Sequence, residues 1–178
     1  MWNPGKLVIV AILAVGLIAA GFSLWYHRQG GKHALEYWGT QGALLIARAP
    51  EIEVLKLRAA DAPPAEGEDP QAIERLGVGG KFYVVTAKTD ASHARGVSNI
   101  RRAMVVDGAY QWDQAPPSEP PVWQYGLEFH ENDQQILVLF DFDGGRVGST
   151  ASTQTVPLVP EAVRDWRSFF EEQFAGPE

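Results

Sequence analysis

Two neighbouring runs, WQYGLEFH at 123–130 and QILVLFDF at 135–142, constrain the fold most strongly. In the first, Trp123, Tyr125, Leu127 and Phe129 alternate with Gln124, Gly126, Glu128 and His130. Successive side chains of a strand point to opposite faces, so this pattern predicts a half-buried antiparallel strand with its aromatic side on a core. The polar ENDQ between the runs turns the chain back. Such a hairpin needs helices to cover its apolar face, and the flanking sequence supplies them.

Upstream, HALEYWGTQGALLIARAP sets Leu35, Trp38, Gly42, Leu45 and Ala49 at helical spacing. The Gly39-Thr40 step is expected to break this helix, with Thr40 capping a second piece that stops before Pro50. EIEVLKLR (51–58) and KFYVVTAK (81–88) read as strands, and GVGGK (77–81) as a turn. Asp69-Pro70 opens a short helix, PQAIERL. Within 90–113, Val97, Ile100 and Met104 share a helix face opposite Arg95 and Arg102. Two further strands near 145–150 and 153–158 precede a helix begun by Pro160, with Val163, Trp166, Phe170 and Phe174 along one stripe. The expectation is an α+β fold: an N-terminal transmembrane helix (1–32 with its flank), then one soluble acidic domain (33–178) whose antiparallel sheet is covered by helices.

The membrane expectation rests on Leu7–Trp25, which contains no charge and one hydroxyl. About 20 apolar residues span a bilayer's hydrocarbon core. Trp2 and Trp25-Tyr26 border the run where aromatic rings favour headgroups. A signal peptide cleaved after Ala19-Ala20-Gly21 is the competing reading, but the apolar run continues beyond it. These features predict a single-pass protein of the cell membrane, contacting the lipid bilayer through Leu7–Trp25, with its C-terminal domain extracytoplasmic.

The first 33 residues carry three of the 15 Lys and Arg and none of the 22 acids, so the rest of this chain of net charge −7 is strongly acidic. An acidic domain repels phosphate backbones, which argues against nucleic acid as a partner. The chain has no cysteine, removing disulfides, thiolate metal sites and cysteine nucleophiles.

LFDFDGGRVGST (139–150) is the most site-like stretch. Counted as a calcium loop from Asp141, it has Asp143 at position 3. Arg146, however, stands at position 6, where such loops need glycine, and Ser152 at position 12, where they need a carboxylate. Asp143-Gly144 between apolar runs is a hairpin signal instead. Glu128 and His130 lie two apart on the polar side of one strand, and with Asp141 they form a candidate polar cluster for ligand binding or weak catalysis. His93, Arg95, Arg101 and Arg102 are the basic concentration of the acidic domain and a candidate anion site. No catalytic signature, cofactor motif or metal-ligand spacing stands out.

The runs ALEYWG…ALLIARAPEIEVLKL, HARG…IRRAMVVDGAYQWD, WQYGLEF and LVLFDF resemble a group of small uncharacterised bacterial single-anchor membrane proteins. The likeness covers most of the chain after residue 32. It rests on core-like patterns such as Trp38-Gly39 and Gln111-Trp112-Asp113, so it implies architecture and no mechanism. The resulting expectation is a membrane-tethered, non-enzymatic interaction or assembly module with an envelope protein as partner. The alternative is a small-ligand-binding or weakly catalytic domain using Glu128, His130 and Asp141.

Overall fold

The computed structural model describes residues 13–16, 31–60 and 74–175. Seven strands form one curled antiparallel sheet. They are β1 (Glu51–Ala60), β2 (Arg75–Val78), β3 (Lys81–Asp90), β4 (Tyr125–Glu131), β5 (Gln134–Asp141), β6 (Arg146–Ser149) and β7 (Ser152–Pro157). Their spatial order is β2-β3-β1-β4-β5-β6-β7. Three helices, α1 (Lys32–Arg48), α2 (Val97–Met104) and α3 (Pro160–Phe174), complete an α+β fold.

Among the described residues, no helix is long and apolar enough to cross a membrane. The longest, α1, has 17 residues, short of the roughly 20 needed, and carries Lys32, His33, Glu36 and Arg48. This corrects the expected transmembrane helix, and with it the single-pass, cell-membrane and extracytoplasmic placement. Of Leu7–Trp25, only 13–16 belong to the described residues, as a helical fragment; the rest lies outside them.

The β4–β5 hairpin forms as its alternation predicts, turning at Asn132, which adopts φ 54°. Asparagine tolerates this left-handed conformation better than most side chains. Leu127 and Phe129 of β4, with Ile52, Val54, Ile136, Val138 and Phe140, form the sheet side of the main core. The helices supply the other side through Ala34, Trp38 and Ile46 of α1, Val97, Ile100 and Met104 of α2, and Trp166 and Phe170 of α3. Phe170 packs at a tilt against Phe140 (ring centroids 4.9 Å) and Tyr125 (5.1 Å), while Trp166 meets Phe140 edge-on at 5.7 Å.

Gly39 breaks α1 as expected, with φ 67° and ψ 164° inside the helix. In the piece before the kink, Ala34 and Trp38, one turn apart, face the core, whereas Leu35 is 48% exposed. Two other local expectations are corrected. Arg75 and Leu76 pair with β3 as strand rather than helix, because the sheet edge supplies backbone partners that outweigh helix propensity; the preceding 70–73 lie outside the described residues. Trp123 precedes β4 and joins Leu55, Leu57, Tyr83, Leu137 and Leu139 in a second core on the opposite sheet face. The sheet is therefore buried on both faces at its centre, which explains the unbroken apolar run Ile136–Phe140 in β5.

Candidate functional site on the second sheet face

Strand alternation assembles the second face residue by residue. Antiparallel pairing sets Glu53 of β1 opposite Glu128 of β4, Gly126 opposite Leu139 of β5, and Asp141 opposite Arg146 of β6. Two polar groups result, with Leu137 and Leu139 lying along β5 between them. The first gathers Glu53, Lys88, Glu128 and His130, and the second is built on Asp141 and Arg146.

In the first group, His130 Nε2 lies 3.4 Å from Glu128 Oε2 and 3.5 Å from Glu53 Oε2. One ligand atom from each of these three residues falls within 4.8 Å of the others, so among the described residues they form a group with the spacing to hold a metal ion. Lys88 reaches in from β3, with Nζ 2.7 Å from Glu53, 3.8 Å from Glu128 and 3.9 Å from Glu74. The hydrogen bond that the Lys88 ammonium donates to Glu53 is the main cause holding its pKa above the usual range, with burial opposing it. Glu128 and His130 were legible from their spacing on one strand. Glu53 and Lys88 were not, because β1 lies between β3 and β4 in the sheet, and no local pattern encodes that order.

In the second group, Arg146 Nε donates to Asp141 Oδ2 at 2.8 Å. Gly144 N (2.8 Å) and Val122 N (3.2 Å) also donate to the Asp141 carboxylate. Arg146 Nη1 continues to the carbonyls of Glu119 (2.6 Å) and Pro117 (3.2 Å). Asp141 is therefore spent on closing the β5–β6 hairpin and does not join Glu128 and His130. The hairpin itself is as expected, but positive φ falls on Gly145 (61°) rather than on Asp143 or Gly144.

The ion pair underlies a cleft of about 480 Å³. Its walls are Gly77–Gly79 with Lys81 and Tyr83 on one side, and Ser149–Ser152 with Gln154 and Thr155 on the other. The terminal strands of the curled sheet, β2 and β7, thus face each other across it. The 117–121 segment crosses the cleft, and Trp123 and Arg146 contribute to its lining. Tyr83 Oη (3.2 Å) and Lys81 Nζ (3.4 Å) both donate to Pro121 O, pinning that segment from the β3 side. Burial is the main influence that raises the Tyr83 phenol above its ordinary range. Only the proline-rich composition of 115–121 marked this region in the sequence, and composition alone reads as loop.

The four basic candidates are not brought together. Arg101 Nε donates to Ile46 O at 2.7 Å, placing a cation at the negative C-terminal end of α1. Burial lowers the Arg101 pKa, and its Nη2 has no hydrogen-bond partner. Arg102 lines the α1–α2 opening with Arg101, whereas Arg95 lines a separate opening between α2 and α3 beside Asp165 and Glu172. His93 is exposed on the loop before α2.

No family model matches the chain, and neither a curated protein nor a solved structure matches it. The functional reading therefore rests on the residues above.

Proposed function

We propose that this chain is a non-enzymatic binding domain that takes a small, polyhydroxylated or otherwise hydrogen-bonding molecule in the cleft above the Asp141–Arg146 pair. The carrying observation is the cleft itself, about 480 Å³ and walled by residues of both terminal strands. That volume falls within the roughly 300–1,000 Å³ of small-molecule sites. Ser118, Ser149, Thr150, Ser152, Thr155 and Tyr83 all line it, and hydroxyls both donate and accept. Two of them hold backbone rather than a catalytic base: Ser149 Oγ accepts from Ala151 N and Ser152 Oγ from Gln154 N, each at 3.1 Å. That arrangement favours binding over hydroxyl-based catalysis.

The assembly reading calls for a contiguous exposed apolar patch. Among the described residues the exposed large apolar side chains are Leu13, Val15, Leu35, Leu44, Val106 and Val122, spread over four segments rather than gathered in one patch. The ligand-binding reading is accordingly preferred, relocated from Glu128 and His130 to the cleft.

The test is a thermal-shift screen of the full chain against monosaccharides, polyols and hydroxy acids. A ligand confined to the native state adds about 2.7 kcal/mol at a hundredfold excess over Kd. At least one class should raise the melting temperature of the parent, and Thr150→Trp, which fills the cleft from an exposed turn, should abolish that shift. A panel without effect, or a shift retained in Thr150→Trp, contradicts the reading.

A further inference from the structure

We propose that Glu53, Glu128 and His130 form a binding site for a divalent transition cation of the zinc class, with the Lys88 ammonium as its displaceable internal counter-cation. The argument begins with donor chemistry. Two carboxylates and an imidazole are the nitrogen and oxygen donors that zinc accepts, and the imidazole disfavours calcium and magnesium.

Geometry agrees with chemistry. Ligand bonds of about 2.0–2.2 Å in a tetrahedral site put neighbouring donor atoms about 3.3–3.6 Å apart. His130 Nε2 stands 3.4 Å from one glutamate oxygen and 3.5 Å from the other, with all three donors inside 4.8 Å. Moreover, Nε2 is closed off from solvent yet has no hydrogen-bond partner, although it faces two carboxylates. A nitrogen in that position is unsatisfied in the metal-free protein and satisfied by a cation between it and the carboxylates. Three protein donors leave a fourth position open to water or an exogenous ligand.

Lys88 explains how the two glutamates stay adjacent without a metal. Its Nζ lies 2.7 Å from Glu53, while Glu74 at 3.9 Å offers an alternative partner on the solvent side. Its side chain is 36% exposed, so it has room to swing to Glu74 when a cation enters. A lysine's flexible stem makes that displacement sterically easy.

Four forms of the full chain test this: parent, His130→Gln, Glu128→Gln and Lys88→Met. The probes are zinc chloride by calorimetry, cobalt(II) by visible absorption, and magnesium chloride as control. The parent should bind one zinc and give the intense visible bands of low-coordinate cobalt, with magnesium inert. His130→Gln and Glu128→Gln should each weaken zinc by at least about tenfold and reduce the cobalt bands. Lys88→Met should melt lower than the parent in chelator and be rescued by zinc, which it should bind more tightly. A purely structural ion-pair network would be weakened by Lys88→Met without that rescue. Absence of zinc binding in the parent, or binding and cobalt bands unchanged in His130→Gln, overturns the proposal.

Discussion

Asp141 and Arg146 face each other across the β5–β6 hairpin in a 2.8 Å ion pair, with their side chains only 2% and 4% exposed. The pair reaches beyond its hairpin, because Arg146 also holds the carbonyls of Pro117 and Glu119. One buried contact thus fixes both the loop and the segment crossing the cleft.

Removing one partner leaves the other charge buried and uncompensated, which costs about 3–5 kcal/mol. Asp141→Asn and Arg146→Met should each lose that much stability in chemical denaturation. The double variant should be less destabilised than the two single effects combined. Full additivity would show that the pair is not coupled.

Gly144 is required for close approach. A Cβ there would stand 2.5 Å from Asp141 Oδ2 and 3.0 Å from Arg146 Nε. Gly144→Val should therefore force the pair apart and destabilise by about 1–3 kcal/mol or more. Millimolar calcium should leave the parent's melting temperature unchanged, since Asp141 is already occupied by Arg146 and two backbone N–H groups.

Trp166 and Arg167 separate core from surface on α3. Trp166 is 4% exposed against Phe140, so Trp166→Ala should cost about 3–5 kcal/mol in denaturant unfolding. Arg167 pairs with Asp143 at 2.8 Å on the surface, and Arg167→Ala should change stability by about 0–1 kcal/mol. Equal effects of the two would contradict the packing described.

Tyrosine burial sets the alkaline limit. Burial raises the phenol pKa of Tyr37 and Tyr110 well above the ordinary tyrosine value of about 10, and that of Tyr83 and Tyr125 less strongly. The unfolded chain therefore loses phenol protons first, and native stability is retained below about pH 10 and falls above it. Difference absorbance should show these phenols ionising together with unfolding. Tyr110 Oη donates to Met104 O at 2.7 Å, so Tyr110→Phe removes that bond yet should flatten the alkaline loss.

What the sequence revealed was local. The β4–β5 alternation, the Gly39 break and the Val97, Ile100, Met104 face each follow from the period of one element, and all three are present. What it concealed depends on distant pairing. Glu53 meets Glu128 only because β1 sits between β3 and β4, and no local pattern encodes that order. Trp123 continued the β4 alternation by sequence but lies before the strand, where its ring covers Gly148 on the other face. The cleft was hidden for the same reason, since its walls are drawn from two distant segments, 77–83 and 149–155.

The central claim is the ligand site, and amide chemical-shift mapping tests it most directly. Full chain labelled with nitrogen-15 would be titrated with the strongest thermal-shift ligand among the monosaccharides, polyols and hydroxy acids. The account predicts saturable shifts concentrated at Gly77–Gly79, Lys81, Ser118 and Thr150–Ser152, with the α2–α3 opening around Asn99 and Glu172 undisturbed. Shifts centred on that opening, or no saturable shift at the cleft, would contradict it.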